Sequence, residues 1–529
     1  MGLRLTIEAH KWRLALCIFT AVYAFLLLYN LGYMSVQWDE MPHLYGSWFL
    51  KGGFTRDYLT MYGYYPPLYD IMTTGFFHLL GTSATAGRLT SVLFSILSIW
   101  VVFEFTKKAY GQKIALLSSV IMGVMPGFFW FSRIAMLETM LIFFFTLAML
   151  FFLYWIRTHS NIALLLAGIT LSVGFLAKYQ ILVAGLVMLA SVFIFFRKKL
   201  LRNLSKLLVV VFIAFLIVVP WFYMISQANG DKKITEIFYV IQEGAQNRVE
   251  YGNRFPLPIF YLVELTWPFP EAPVHPISLP LYILGLLGLG LLAYRRKNED
   301  KLLLAWFAIV YVFFTIIPNR QWRYVTPLFP VLAITAALFI MFAYAKIREW
   351  KPKRLGIRGK KIVAALFVAL AASTIIYSGY DAYLMTARDQ IHIPIEETTN
   401  YLSSYMSLNE SAVIVCAYNM LDQDMVRFYW PYNMDRWQIW QYPELAVDAF
   451  TPNFNVTEFV SLCEQRNVKY IILYDYGAYS EFYNTTLTYA NVTTMLAETG
   501  RFGDPLDMPF FGDMPHRLFL VRFLNQTQP

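Results

Sequence analysis

The feature that most constrains this chain is a recurring apolar run of about bilayer length. Such runs occur near residues 12–33, 84–106, 114–131, 134–156, 162–177, 180–196, 206–225, 278–294, 302–318, 324–345 and 361–379. A bilayer core takes about 20 mostly apolar residues per helix. Inside it each backbone group must find its partner within the segment, so these runs read as helices. Only 15% of the residues are charged and 58% are hydrophobic, against roughly 25% and 45–50% in a soluble domain. That balance excludes an ordinary soluble enzyme, a disordered chain and a nucleic-acid-binding protein. Three cysteines exclude a disulfide scaffold and a cysteine-based zinc module.

Lys and Arg set the expected orientation. Six short connections hold 24 of the 43 cations, including Arg4, Lys107, Arg157, Arg197, Arg295 and Lys346, and the positive-inside rule is read over such short loops. The N-terminus is then cytoplasmic, and eleven spans leave residues 380–529 outside or in a lumen. Asn-x-Ser/Thr sequons at Asn409, Asn455, Asn484, Asn491 and Asn525 fall in that tail and are candidate glycosylation sites, while one, at Asn203, lies on the expected cytoplasmic side. Asn455, three residues before Glu458, also reads as a helix N-cap. The first run has no small-residue cleavage site after it and reads as a retained span.

The expected architecture is an all-α polytopic membrane domain over 1–379, with about eleven transmembrane helices and outer loops 34–83 and 226–277. A small extracytoplasmic α/β domain over 380–529 follows. In the tail, helices are expected over 394–407 and 456–466, and strands over 412–417, 470–475 and 518–523. The stretch 68–80 is apolar but too short to span, as an interfacial helix would be. Cys416 and Cys463 share the outer compartment, either as a pair or as buried free thiols.

Ionisable groups near membrane depth are costly and mark functional candidates. Trp38-Asp39-Glu40-Met41-Pro42-His43 places two carboxylates where the chain leaves the first span; helix capping by Asp39 and Glu40 competes there with catalysis. Tyr64-Tyr65-Pro66-Pro67-Leu68 fixes a rigid extended turn, either a pocket wall or an ordinary loop. Arg133 and Glu138 mark the outer end of the fourth span; on a helix beginning at Arg133 they would point about 140° apart, so each needs another partner. Lys178 stands alone between two apolar runs, where snorkelling is the plain explanation. Arg320 and Arg323 flank Trp322 and precede Tyr324, as aromatic-belt anchors or as phosphate ligands.

Cations with carboxylates at one membrane face fit a lipid-linked phosphate and a general base. No phosphate-binding loop, HExxH or GxSxG sequence in context is present. At these residues the chain resembles the GT-C glycosyltransferases that use polyprenyl-phosphate sugars, in particular the protein O-mannosyltransferase and aminoarabinose lipid A transferase families. The matching motifs are Asp39-Glu40; Tyr65-Pro66-Pro67-Leu68, where Tyr65 replaces the family's basic residue; Arg133-x4-Glu138; Gly174-Phe175-Leu176-Ala177-Lys178; and Arg323-Tyr324-x2-Pro327-x2-Pro330.

The resemblance implies a GT-C-like membrane domain and an inverting transfer on the outer or lumenal face. The donor is a sugar on a polyprenyl or dolichyl monophosphate; the acceptor is a hydroxyl of a protein Ser/Thr, a glycan or a lipid. Asp39, Glu40 and Glu138 are the catalytic candidates. Lys178, Arg323 and Arg133 are the donor-phosphate candidates, and Tyr65, Pro66, Pro67, Tyr324 and His43 line the pocket. Relatives differ on a divalent metal ion; Asp39 and Glu138 are the candidates to ligate one. The competing class is a non-enzymatic lipid or sugar transporter or flippase, for which broken spans in symmetric halves would speak.

Overall fold

The computed structural model describes residues 2–196, 200–229, 255–267, 275–318, 320–350, 356–388, 390–416, 421–430, 438–443, 454–475, 488–513 and 516–524. The chain divides into two compact units, Met1–Leu31 with Gly46–Asp389, and Gly32–Tyr45 with Gln390–Pro529.

The first unit is helical. Its long elements are α1 (Gly2–Leu28), α2 (Met41–Leu50, which begins in the other unit), α3 (Leu68–Leu80), α4 (Ala84–Tyr110), α5 (Gln112–Gly123), α6 (Pro126–Phe131) and α7 (Glu138–Thr158). They continue with α8 (Asn161–Phe175), α9 (Leu182–Phe195), α10 (Leu200–Asn229), α11 (Leu279–Arg295), α12 (Asn298–Ile316), α13 (Leu328–Glu349) and α14 (Gly356–Tyr383). Every expected span falls on a helix. Six of the described helices are long and apolar enough to cross a membrane, and four more apolar ones have 10–17 residues. The chain is an integral multi-pass membrane protein. The run 114–131 is not one rod: α5 ends before Pro126, which has no N–H to continue the ladder and takes the first helical position of α6. The interfacial helix forms as α3 over the expected residues.

Burial is uneven. α4, α7 and α13 are mostly inside, whereas α1, α10 and α14 expose apolar side chains such as Phe25, Val211, Phe212, Leu366 and Ile376. Apolar surface on that scale needs a lipid solvent. α11 packs closely on α13, because Gly288 lets the backbones approach: a Cβ there would lie 2.1 Å from the Thr335 carbonyl oxygen, while at Gly290 it would meet nothing.

The second unit holds α15 (Ile395–Tyr405), β1 (Ser411–Val415), α16 (Gln423–Tyr429), β2 (Ile439–Gln441), α17 (Val456–Gln465), β3 (Val468–Asp475), α18 (Tyr489–Ala497), β4 (Phe510–Phe511) and β5 (Arg517–Arg522). The sheet order is β2-β1-β3-β5-β4. β1 runs parallel to β2 and β3, and β5 pairs antiparallel with β3 and β4. β1 is buried along its whole length, as a central parallel strand with both faces covered should be. Val413, Ile471, Leu473 and Val521 pack with Phe459 and Val492 in its core. Cys416 and Cys463 are both buried and are not joined by a disulfide.

The segment Gly32–Tyr45 joins this unit through the Ser35 amide donating to Ile391 O (3.1 Å) and the Ser35 hydroxyl donating to Ile393 O (2.8 Å). The Tyr33 ring also stacks on His392 at 4.8 Å. Asp422 caps α16, its Oδ1 accepting from the amides of Asp424 (2.7 Å) and Met425 (2.8 Å). Burial pushes its carboxyl up to about 7 and the Asp424 carboxylate adds to the rise, while the two amide hydrogen bonds oppose it.

Two outcomes follow. Gly288→Val should lower the melting temperature of the detergent-solubilised protein sharply or abolish its expression, and Gly290→Ala should leave it within a degree or two. A raised folded-state pKa favours the protonated fold. Asp422 therefore contributes stability that is fully present below about pH 4 and is lost as pH rises through about 7. Unfolding monitored between pH 4 and 8 should show this loss, and Asp422→Asn, which keeps a cap but cannot titrate, should flatten it.

Candidate functional site

In the membrane unit the site is built where α7 begins and α8 ends. The turn before α7 is fixed from two sides. Arg133 is buried and donates to the carbonyls of Leu26 (2.9 Å), Leu27 (2.8 Å), Tyr29 (2.8 Å) and Asn30 (3.3 Å) at the end of α1. Ser91 Oγ on α4 faces the Met136 backbone, donating to its carbonyl at 3.2 Å, and lies 2.9 Å from the Tyr69 hydroxyl. The helix starts at Glu138 and not at Arg133, so the 140° separation expected for a common helix does not apply. The reason is local: Arg133 belongs to the preceding turn, where its guanidinium satisfies carbonyls that α1 leaves without an intrahelical partner.

Glu138 is fully buried. Its Oε1 accepts from Lys178 Nζ at 2.6 Å, while its Oε2 has no hydrogen-bond partner among the described residues. Lys178 reaches it because of Gly174: a Cβ there would lie 2.3 Å from Ile181 and 2.7 Å from Phe144 on α7. Only glycine lets the end of α8 close down on α7. The Lys178 amide then donates back to Gly174 O at 2.9 Å. The Pro66-Pro67 turn docks on the same loop, its Leu68 amide donating to Leu176 O at 2.8 Å. Three of the sequence motifs, over Pro66-Pro67-Leu68, Arg133-x4-Glu138 and Gly174-x3-Lys178, thus meet through two direct contacts. Tyr65 is half-buried with its ring edge-on to Tyr64 at 4.3 Å.

Arg323 and Tyr324 lie in a 3-10 turn, Trp322–Val325, leading into α13. Both are half-buried. Tyr324 stacks on Phe314 at 6.3 Å, and the Arg323 guanidinium lies 5.7 Å from the Tyr324 ring centre. Arg320 is buried, with Nε donating to Thr315 O at 2.9 Å.

Asp39, Glu40 and His43 belong to the second unit. Asp39 and Glu40 sit in a 3-10 turn, Trp38–Glu40, that leads directly into α2. Glu40 is buried and its Oε2 accepts from the Gln37 amide at 2.9 Å, so the turn-capping task falls at least in part on Glu40. Asp39 is half-buried and His43 buried. Among the sequons, Asn409 and Asn491 are exposed, and Asn455 caps α17 by accepting from the Glu458 amide at 3.3 Å. Asn484 and Asn525 lie outside the described residues. Among the described residues no three His, Cys, Asp or Glu side chains converge in a metal-binding cluster.

Sequence reasoning did not single out two buried groups. Arg88, on α4, is fully buried and donates to Leu31 O at 2.9 Å; a lone cation inside an apolar run was the signal. Asp70, on α3, accepts from the Tyr58 hydroxyl at 2.8 Å, and burial pushes its carboxyl well above the usual range against that hydrogen bond.

Residues 65–224 match the family model of the dolichyl-phosphate-mannose-protein mannosyltransferases. The undecaprenyl phosphate-alpha-4-amino-4-deoxy-L-arabinose arabinosyl transferase 2 of Proteus mirabilis is 24% identical over 324 residues, 57% of this chain and 55% of that protein. An uncharacterized protein of Aquifex aeolicus is 26% identical over 330 residues, 60% of this chain and 62% of that protein. The chain thus spans somewhat more than half the length of these curated relatives. Among solved structures, ArnT from Cupriavidus metallidurans bound to undecaprenyl phosphate aligns with a TM-score of 0.60 at 16% identity, over 98% of this chain and 100% of that one. The Archaeoglobus fulgidus oligosaccharyltransferase AglB, in complex with an inhibitory peptide and a dolichol-phosphate, aligns with a TM-score of 0.57 at 14% identity, over 99% and 75%. The chain therefore shares the fold of these two solved structures.

Proposed function

We propose that this protein transfers a sugar from a polyprenyl or dolichyl monophosphate to a hydroxyl acceptor on the outer or lumenal side, with inversion at the anomeric carbon. The observation that carries this reading is the ion pair of the partly buried Lys178 with the fully buried Glu138 at 2.6 Å, set within residues that match a lipid-phosphate-sugar transferase family. A cation held at the outer end of two spans is the group needed to bind a departing phosphate.

In this reading Asp39 accepts the proton of the acceptor hydroxyl as its oxygen attacks the anomeric carbon. The glycosyl–phosphate bond breaks, and the lipid phosphate leaves as an anion held by Lys178 and Arg323. Glu138 holds Lys178 in place; its second oxygen, unpartnered and buried, accepts from a hydroxyl of the donor sugar. Arg133, whose guanidinium serves the end of α1, positions the α7 start and with it Glu138. Glu40 holds the turn that presents Asp39. A divalent ion, if the enzyme uses one, would draw on Asp39 or Glu138. Tyr65, Tyr324 and His43 shape the pocket. The acceptor is a protein Ser/Thr, a glycan or a lipid.

The test is transfer by the purified protein from a panel of lipid-phosphate sugars. Asp39→Asn should lower kcat by about 10²–10⁴, the usual worth of a positioned base, with donor binding retained; near-normal turnover would remove Asp39 from the base role. Lys178→Ala leaves a buried carboxylate uncompensated, at about 3–5 kcal/mol, and should raise the donor KM more than the acceptor KM. The double variant Lys178→Met with Glu138→Gln should recover most of that stability without recovering transfer. Unchanged donor use in both variants would sink the phosphate-holding role.

A further inference from the structure

We infer that Asp70, through Tyr58, is a positioning residue for Lys178 and sets how tightly the donor phosphate is held. The inference rests on the transfer reaction proposed above and goes beyond it, since neither Asp70 nor Tyr58 belongs to the motifs that suggested that reaction.

α3 buries a polar face. Tyr69, Asp70, Thr73 and Thr74 are inside, while Ile71, Leu79 and Leu80 are exposed, as on a helix whose apolar side meets lipid at an interface. The Tyr69 hydroxyl lies 2.9 Å from that of Ser91, and the Thr73 hydroxyl 2.7 Å from that of Thr90, both on α4. Thr74 donates to the Ser47 carbonyl of α2 at 2.8 Å. Hydroxyls suffice for those three contacts. At Asp70 the chain instead buries a carboxyl, which accepts from the fully buried Tyr58 hydroxyl at 2.8 Å. The fit is close: a Cβ at Gly46 of α2 would lie 2.5 Å from the same Asp70 Oδ2. An ionisable side chain is an expensive way to fill such a place. Burial, opposed by the Tyr58 hydrogen bond, pushes the carboxyl well above its usual range and so toward its neutral form.

The pair closes a circuit of contacts that contains the Lys178 loop. Asp70 lies two residues after Leu68, whose amide donates to Leu176 O at 2.8 Å. The Leu176 side chain packs against the cluster of Leu50, Tyr58, Leu59, Trp221 and Ile225. From that cluster the Tyr58 hydroxyl returns to Asp70. Lys178 follows Leu176 by two residues. The loop is thus held on one side by the start of α3 and on the other by the Tyr58 cluster, and the Tyr58–Asp70 hydrogen bond fixes the spacing of the two supports. Tyr58 is itself anchored elsewhere. It lies on the short helix Arg56–Met61, capped by Thr55, and Asn229 of α10 donates to Leu59 O at 3.0 Å. Loss of the Tyr58–Asp70 bond therefore leaves both supports folded but free to shift against each other, and the aim of Lys178 shifts with them.

The experiment uses the purified full-length protein with the lipid-phosphate sugar it transfers, and reads donor KM, acceptor KM, kcat and melting temperature. Tyr58→Phe keeps the ring in its cluster and removes only the hydroxyl. It should raise the donor KM about three- to tenfold, as the loss of one buried hydrogen bond allows, with kcat and acceptor KM changed by less than about twofold. Asp70→Leu should do the same. Asp70→Asn, which still accepts from Tyr58, should restore the donor KM to near the wild-type value. If Asp70→Leu does not fold, Tyr58→Phe and Asp70→Asn decide. An unchanged donor KM in Tyr58→Phe, equal rises in donor and acceptor KM, or an Asp70→Asn variant as impaired as Tyr58→Phe would each overturn the inference. Wild-type protein that transfers from no lipid-phosphate sugar would remove the proposed reaction and this role with it; normal wild-type turnover beside an unaltered Tyr58→Phe would remove this role alone.

Discussion

A helix that ends where water is scarce leaves several carbonyls without partners, at the negative end of its dipole. At the end of α1 two buried arginines meet that demand: Arg133 takes the carbonyls of residues 26, 27, 29 and 30, and Arg88 takes that of Leu31. Two cations at one place would repel, and the carbonyl dipoles between them offset this. The consequence is positional. Arg88 rides on α4 one turn before Ser91, whose hydroxyl fixes the Met136 backbone and meets Tyr69 of α3. Arg133 rides on the turn that starts α7. The clamp therefore ties α1, α3 and α4 to the residue where α7 begins, and Glu138 inherits its place from that frame.

Where the sequence pattern was strong and local, the fold could be read directly. The helix over Leu68–Leu80 was legible from an apolar run bounded by Pro67 and Gly81, and that over Val456–Gln465 from its Asn455 cap. β1, β3 and β5 stood out as β-rich runs. β2, with 3 residues, β4, with 2, and α16, with 7, carry too little periodicity to register; distant partners make them. In the site, Glu138 and Lys178 were legible because charge at membrane depth is expensive, but their mutual contact depends on Gly174 and on Phe144 in another helix. The start of α7 was misjudged because nothing between Arg133 and Glu138 marks a turn in sequence.

The first extramembrane segment shows the same limit at a larger scale. Its first residues, Gly32–Tyr45, cluster with the tail, while Gly46 onward goes with the helices. The link runs through Ser35 and the backbone at Ile391 and Ile393, some 358 residues apart in the chain. No composition shift marks that boundary. It separates Asp39 and Glu40, which share a unit with the sheet, from the acids and cations carried by the helices, so the proposed base and the proposed phosphate ligands are supported by different cores.

The sheet of the second unit ends on both sides in its shortest strands, β2 and β4. An exposed strand edge is a template for another chain, and a short one offers few backbone groups to copy. A membrane protein is confined to two dimensions, where neighbours of the same kind meet often and in a common orientation. Among the described residues β2 is buried along its length and β4 is two residues long, so neither edge offers a neighbouring copy much backbone to pair with.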